Sequence, residues 1–247
     1  MKTILKIMII SSLSSFILMG LNACGKETMN SDIAEYESIL DVDYNGSTLV
    51  KVSYLGSVLS EDLDFDESEL NILLHMKEEE KLAMDVYTAL SRKWRQPVFS
   101  NISRAENTHM NAVIYLLQTY GDEYTEVGQP GEYTNYEFQT LYNELVSKGL
   151  SSIQEAYMVG ALIEEMDIKD LTESINNVTN ENIILVFENL KKGSRNHLRA
   201  FNRQITRSGL TYVPVHISQT EYDQIVSSAH ETGSQYLMNI NGSCPGM

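Results

Sequence analysis

Apolar residues recur every three to four positions in four long stretches of this chain, which is the spacing of an amphipathic helix. The first stretch begins at Asp66, where Glu69 three residues later completes a capping-box pattern, and it ends at Pro97. The second stretch runs from about Ser100 and stops before Gly121. The pattern therefore predicts two consecutive long helices joined by a short turn.

The second half of the chain repeats this pattern after a long connection, which is predicted to hold a short helix over Tyr136–Lys148. A third long helix is predicted over Ser152–Ile175, and a fourth is capped by Thr179 or Asn180 and reaches about Arg207. Four long helices, with an extra connection between the second and the third, have the layout of a helical bundle with a crossover. The predicted fold class is therefore all-α.

The predicted bundle occupies only the middle of the chain. The sequence divides into a signal peptide over 1–23, an acidic tether over 24–65, a helical bundle over 66–209 and a C-terminal extension over 210–247. Within the tether, the alternating stretch Thr48–Tyr54 is a candidate strand. Within the extension, a short helix is expected near Glu221–Ser228.

The N-terminal segment has a basic start, with Lys2 and Lys6, and then an uncharged run over Ile7–Leu21. This run is too short and too rich in serine for a comfortable membrane span, and it is typical of a signal peptide. It ends in Leu21-Asn22-Ala23-Cys24, which resembles the lipobox of bacterial lipoproteins. The resemblance implies cleavage before Cys24, a lipid anchor on that cysteine and an extracytoplasmic location in the cell envelope. An uncleaved helix or a plain secretory signal is the alternative.

The net charge limits the binding partners to be expected, and the cysteine content limits the possible disulfides. The formal net charge is −16, and removal of residues 1–23 would make the mature chain more acidic because that segment holds two lysines and no acid. Nucleic acid is therefore not an expected partner, and protein partners are unknown. Of the two cysteines, Cys24 is expected to carry lipid, so Cys244 has no intrachain disulfide partner.

Acidic and imidazole side chains interrupt the apolar faces of the four long helices. Glu80 lies on the apolar stripe of the first helix. Glu106 and His109 are three residues apart on the second helix and therefore share one face. The third helix offers Glu164 and the fourth offers His197. Each helix thus carries at least one residue of a metal-ligating type within its apolar pattern.

Several carboxylates that converge in a bundle core repel one another unless a cation neutralises them. Glutamate oxygens and neutral imidazole nitrogens suit iron or manganese, and zinc can also bind such a set. Taken singly, each of these residues has an ordinary explanation, such as a solvated charge run over Glu78–Glu80 or a core histidine at His197. Their joint distribution over four helices is what predicts a site for one or two ions.

Four segments of the predicted helices also carry a family resemblance. They are Met76–Tyr87, Ser103–Met110, Gly160–Ile168 and Gly193–Phe201. Together they resemble the ferritin-like superfamily that includes rubrerythrins and bacterioferritins, and most closely the group known as domain of unknown function 2202. The resemblance covers about residues 69–208 and implies a ferritin-like four-helix bundle, with a crossover between the second and third long helices that carries the short extra helix.

Carried over by position, the resemblance implies that the metal ligands are Glu80, Glu106, His109, Glu164 and His197. Di-iron members usually carry Glu-x-x-His on the fourth helix, whereas Ser194 stands three residues before His197 here. Asp167, one turn after Glu164, is the candidate to replace the missing bridging carboxylate. Otherwise the site holds a single ion. Glu165 is an alternative to Glu164.

Two classes of function remain open. The first is a metal-dependent oxidoreductase or metal-handling protein that reacts iron or manganese with oxygen or peroxide outside the cytoplasm, with no catalytic residue assigned. The second is a non-catalytic surface module that contacts envelope proteins. In that module, arginines would neutralise the core carboxylates, and the candidates are Arg104, Arg195 and Arg199.

Overall fold

The computed structural model describes residues 39–42, 48–59, 66–120 and 125–232. The expected signal peptide with Cys24 and the C-terminal Cys244 lie outside the described residues. The described part of the chain is mostly helical, with two short strands, which confirms the predicted all-α class. No described helix combines the length and the apolar character that a bilayer crossing requires.

The described elements follow the predicted order closely. They are β1 (Leu40–Val42), β2 (Thr48–Val50), α1 (Val52–Val58), α2 (Glu67–Trp94), α3 (Pro97–Tyr120), α4 (Tyr136–Ser151), α5 (Ile153–Asn177), α6 (Glu181–Arg207) and α7 (Gln219–Ser227). Helices α2, α3, α5 and α6 correspond to the four long amphipathic stretches, and α4 and α7 to the two short helices.

Local capping explains where the long helices begin and end. Asp66 and Glu69 form the predicted capping box of α2. The side chain of Asn180, rather than that of Thr179, accepts the backbone N–H groups at the start of α6. Helix α3 begins earlier than its predicted start near Ser100, because a proline such as Pro97 is well suited to the first helical turn, where its missing N–H is not needed.

The four long helices pack as two hairpins. Helix α2 packs on α3, helix α5 packs on α6, and contacts of α2 with α5 and of α3 with α6 join the two hairpins. Helix α4, in the connection between the hairpins, packs on α5 and α2. This arrangement brings one face of every long helix towards the same interior.

The apolar core has two parts with a polar level between them. One apolar cluster includes Val86 and Ile102, and the other includes Leu73 and Val113. Along α2, Glu80 lies between Leu73 of one cluster and Val86 of the other. The hydrophobic residues at both ends therefore stabilise the packed helices and exclude water from a central layer of polar side chains.

The described part of the predicted tether packs on the helices. Strands β1 and β2 pair antiparallel, with Leu40 opposite Val50, and β2 contacts α3 and α6. Leu40, Val50 and Leu55 are buried. This corrects the tether interpretation for residues 39–42 and 48–59, because their apolar side chains add to the core. The candidate strand Thr48–Tyr54 is also shorter than expected, since α1 begins at Val52.

Candidate metal centre

The six residues predicted as metal ligands are all buried at the polar level of the core. They are Glu80 on α2, Glu106 and His109 on α3, Glu164 and Asp167 on α5, and His197 on α6. None of these six residues is more than 3% exposed. Burial of so many ionisable groups is costly unless compensating partners are present.

Glu106 lies between the two histidines. Its Oε2 atom is 2.8 Å from Nδ1 of His109, and its Oε1 atom is 2.9 Å from Nδ1 of His197. The two imidazole rings are nearly parallel, with 5.5 Å between their centroids and 18° between their planes. The carboxylate of Glu106 therefore presents one oxygen to each histidine.

Two groups of three ligand-type residues share Glu106. One consists of Glu80, Glu106 and His109, and the other of Glu106, Glu164 and His197, and in each group one candidate ligand atom per residue lies within 4.8 Å of the others. Nδ1 of His109 is 3.4 Å from Oε2 of Glu80, and Nδ1 of His197 is 3.2 Å from Oε2 of Glu164. The arrangement is that of two adjacent three-residue pockets with a common carboxylate.

Asp167 belongs to neither group, although it was the expected source of a bridging carboxylate. Burial, and after it the charges of Glu80 and Glu164, raise the pKa of Asp167 well above its usual value. Its carboxyl group therefore favours the protonated form beside the two pockets. Glu106 takes the central position instead, because its two oxygens contact the two imidazoles.

Many polar atoms at this level have no hydrogen-bond partner among the described residues. They are both oxygens of Glu80, both oxygens of Glu106, both ring nitrogens of His109 and Oδ2 of Asp167. Glu106 approaches His109 and His197 closely, yet the atoms are not aligned for hydrogen bonds. Buried polar atoms are nearly always satisfied in folded proteins. A buried set of carboxylate oxygens and imidazole nitrogens that lack hydrogen-bond partners among the described residues fits iron, manganese or zinc.

Without a cation, protons must balance the charge of the site. Burial raises the pKa of Glu80 and of Glu164 to about 7. Burial opposes charge on the histidines, but the neighbouring carboxylates outweigh it and raise the pKa of His109 to about 10 and that of His197 to about 9. Burial likewise opposes ionisation of Glu106, yet the charges of His197 and His109 hold its pKa well below its usual range.

Residues 69–229, which include all six buried ligand-type residues, match the family described as "Uncharacterized protein domain (DUF2202)". The chain belongs to the DUF2202 family. It is 45% identical over 183 residues to the uncharacterized protein MJ0754 of Methanocaldococcus jannaschii, and the match covers 74% of this chain and 98% of the relative.

A solved structure is also similar to this DUF2202 chain. It is the crystal structure of hypothetical protein MJ0754 from Methanococcus jannaschii, with 46% sequence identity and a TM-score of 0.66. The likeness covers 69% of this chain and 98% of that chain. The match to the DUF2202 family begins at residue 69, so β1, β2 and α1 lie outside it.

One of these additional elements nevertheless contacts the site. Thr48, at the start of β2, is fully buried, and its Oγ1 atom is 2.5 Å from Nε2 of His197. A partner on the outer nitrogen of an imidazole orients the ring and directs the other nitrogen inward. Sequence reasoning missed Thr48 because the residue lies outside every amphipathic helix pattern.

Tyr87 on α2 contacts the oxygen of Glu164 that does not face His197. The Tyr87 hydroxyl donates a hydrogen bond of 2.6 Å to Oε1 of Glu164. Burial, and then the charge of Glu164, raise the pKa of Tyr87 well above its usual value, so the phenol keeps its proton. Oε2 of Glu164 remains directed at His197.

Gly193 on α6 makes room for the ring of His109. A Cβ atom at position 193 would lie 2.6 Å from Cε1 and 2.8 Å from Nε2 of His109. The sequence analysis named Gly193 only as the first residue of the family-like segment Gly193–Phe201. The signal was a glycine in a helix interior, where it costs stability unless close packing requires it.

Glu165, the sequence alternative to Glu164, has a different set of partners. It accepts hydrogen bonds from the Tyr212 hydroxyl and from the backbone N–H groups of Val215, His216 and Ile217. These hydrogen bonds therefore hold the segment after α6 against α5. Glu164 is the residue of this pair that faces the two histidine pockets.

The arginines expected beside the cluster also have other partners. Arg195 and Arg199 both pair with Glu231, at 2.5 Å and 2.8 Å. Arg104 donates to Oδ1 of Asn101. The expectation that Arg195 and Arg199 pair with the core glutamates was wrong, because these side chains extend towards the C-terminal extension instead.

Proposed function

We propose that this chain is an envelope lipoprotein whose ferritin-like four-helix bundle holds two transition-metal ions, iron or manganese, with zinc as a weaker candidate. The bundle would be formed by α2, α3, α5 and α6, and α4 would lie in the crossover between the second and third of these helices. The lipid anchor would be attached at Cys24 on the extracytoplasmic side of the membrane.

The single observation that carries the metal proposal is the position of Glu106. Its two oxygens face the Nδ1 atoms of two different histidines. We infer that two ions would be held here, one by Glu80, Glu106 and His109 and the other by Glu106, Glu164 and His197. The buried oxygens of Glu80 and Glu106 and the Nδ1 atom of His109 have no hydrogen-bond partner among the described residues, and they support this assignment because cations would satisfy them.

Bound iron or manganese would supply one-electron chemistry towards oxygen or peroxide. The protein's contribution is to hold the ligands rigidly and keep water out. Tyr87 fixes one oxygen of Glu164, and Thr48 fixes the outer nitrogen of His197. Asp167, with its raised pKa, holds a proton within reach of the charges of Glu80 and Glu164.

A non-catalytic surface module is the weaker alternative. That function relied on arginines to neutralise the core carboxylates. Arg195 and Arg199 bind Glu231, and Arg104 binds Asn101. These contacts favour the metal-binding proposal over the alternative.

Elemental analysis tests the proposal directly. The mature chain would be purified without chelator, loaded with Fe(II) or Mn(II) and freed of excess metal. We expect close to two equivalents in the unaltered protein and a loss of both in Glu106→Gln, because that substitution removes the shared charge. Glu144→Gln, at an exposed position on α4, is the matched control. Retention of metal in Glu106→Gln, or no metal in the unaltered protein, would overturn the proposal.

A further inference from the structure

A second group of ligand-type residues lies on α2 and α5, separate from the two core pockets. It consists of His75, Glu79 and Asp170, and one candidate ligand atom from each lies within 4.8 Å of the others. His75 and Glu79 are four residues apart on α2, with 3.7 Å between Nε2 and Oε2. The side chain of His75 is 55% exposed, whereas that of Glu79 is only 5% exposed. The group therefore extends from solvent into the protein.

The state of Glu79 points to a ligand. Its Oε2 atom is buried and has no hydrogen-bond partner among the described residues. The same atom faces the imidazole of His75, whose ring lies against Phe138 of α4 at a centroid distance of 5.3 Å. A buried carboxylate oxygen without a partner distinguishes this group from a solvated acidic patch, because buried polar atoms are nearly always satisfied.

A lysine competes for this group only weakly. Lys169 contacts Oδ1 of Asp170 at 2.9 Å and Oε1 of Glu173 at 3.1 Å. The lysine side chain is 37% exposed, and ion pairs at such positions contribute little to stability because water screens them. A divalent cation can therefore take the Asp170 carboxylate, while Lys169 keeps Glu173 as its partner.

The outer group connects to the core through Asp167. Asp170, Asp167 and Glu164 follow one another at one-turn intervals on α5, and their exposed fractions fall from 28% to 3% to 0%. Asp167 lies between Asp170 and Glu164 along α5 and is buried. Its Oδ2 atom lacks a hydrogen-bond partner among the described residues. Carboxylate groups are therefore spaced about one helical turn apart along α5, from the surface to the core pockets.

We propose that His75, Glu79 and Asp170 bind one divalent transition-metal ion at the surface and pass it to the core pockets by way of Asp167. One imidazole nitrogen and two carboxylate oxygens, completed by water, suit Mn(II), Fe(II) or Zn(II). The transfer rests on the proposed function of the core pockets. The outer site itself does not, since it is built from different residues.

Titration with Co(II), followed by its visible absorption, separates these claims in the full mature chain. We expect the unaltered protein to bind a third, weaker equivalent. The double variant His75→Gln, Asp170→Asn should lose that equivalent and fill the core pockets more slowly. The slowing should be at least about tenfold, the lower end of what charged clusters contribute to association rates. The final occupancy of the core pockets should not change.

Glu155→Gln is the matched control, because Glu155 is an acid with a 44% exposed side chain near the other end of the same helix. An unchanged third equivalent in the double variant would overturn the outer site. Loss of the third equivalent with unchanged core loading would overturn the transfer route. Co(II) bound at the outer site of a protein with vacant core pockets would instead count against the proposed function and leave the outer site standing.

Discussion

Oγ1 of Thr48 lies 2.5 Å from Nε2 of His197, although the two residues are 149 positions apart in the sequence. The contact connects the N-terminal β-ribbon to the core of the helical domain. If Nδ1 of His197 is the ligating nitrogen, Nε2 carries the ring proton and donates a hydrogen bond to the hydroxyl of Thr48. Thr48 is then a positioning residue for one of the two core pockets.

Substitution of Thr48 tests this relationship. In Thr48→Val the hydrogen bond is lost while the shape is kept, so the affinity of one of the two core ions should fall by about 10- to 100-fold, as is typical for such partners of ligating histidines. In Thr48→Ser the hydroxyl remains and the affinity should recover. Co(II) titration measures both. Equal effects of valine and serine would mean that the residue acts through packing alone.

Gly193→Ala should disturb the other pocket. The new Cβ would lie 2.6 Å from Cε1 of His109, so the ring must shift and its distances to Glu80 and Glu106 must change. We expect loss of one metal equivalent and a decrease of about 1–3 kcal/mol in the free energy of unfolding, as for other overpacked cores. Metal analysis and urea denaturation measure the two effects. Ser194→Ala, at the next position of α6, should retain both ions.

The metal-free protein should become less stable as the pH rises. Glu80 and Glu164, with pKa raised from 4.5 to about 7 by burial, hold protons that the unfolded chain releases, so stability falls as the pH rises from 4.5 through 7. The histidine pKa values, raised from 6.5 to about 10 for His109 and about 9 for His197, add stability that is lost as the pH rises through that range.

Calorimetry at several pH values checks this dependence. The Tm of the metal-free protein should fall between about pH 5 and pH 9, while the metal-loaded protein should gain relative stability because metal replaces the protons. Glu106 does not alter this window, since its lowered pKa affects stability only in acid. The difference in Tm between the metal-loaded and the metal-free protein should widen as the pH rises. A difference that became smaller would contradict the assigned charges.

We expect Glu164→Gln to change the metal content and Glu165→Gln to change the stability. The first should lose metal, because Oε2 of Glu164 faces the His197 pocket. The second should retain metal but lower the free energy of unfolding, because Glu165 accepts hydrogen bonds from Tyr212 and from the backbone of residues 215–217. Metal content and urea denaturation distinguish the two. Metal loss in Glu165→Gln alone would reverse the assignment.

The lipid anchor is tested at Cys24. Intact mass measurement of the mature protein should show an N-terminus that begins at Cys24 and carries acyl chains, since two or more chains are needed for stable anchoring. Cys24→Ser should release the protein into the soluble fraction. A mature chain that begins at another residue would exclude the proposed anchor.

Much of the helical layout followed from local pattern. The capping residues, the 3.6-residue apolar period and the Glu106–His109 spacing lie within single helices, so they can be read along the chain. The same period placed Glu80, Glu164 and His197 on inward faces, and all three are buried. It left Glu165 open as an alternative to Glu164, because adjacent positions on a helix differ by only about 100°.

Local pattern along the chain was therefore enough to identify the helices and the residue types on their inner faces. The three-dimensional packing was needed to show that Glu106 lies between two histidines, that Thr48 contacts His197 and that Arg195 and Arg199 pair with Glu231. Helical periodicity is a local property of the backbone, whereas these contacts depend on the axial register in which separate elements pack. That register is set by side-chain packing across the whole core.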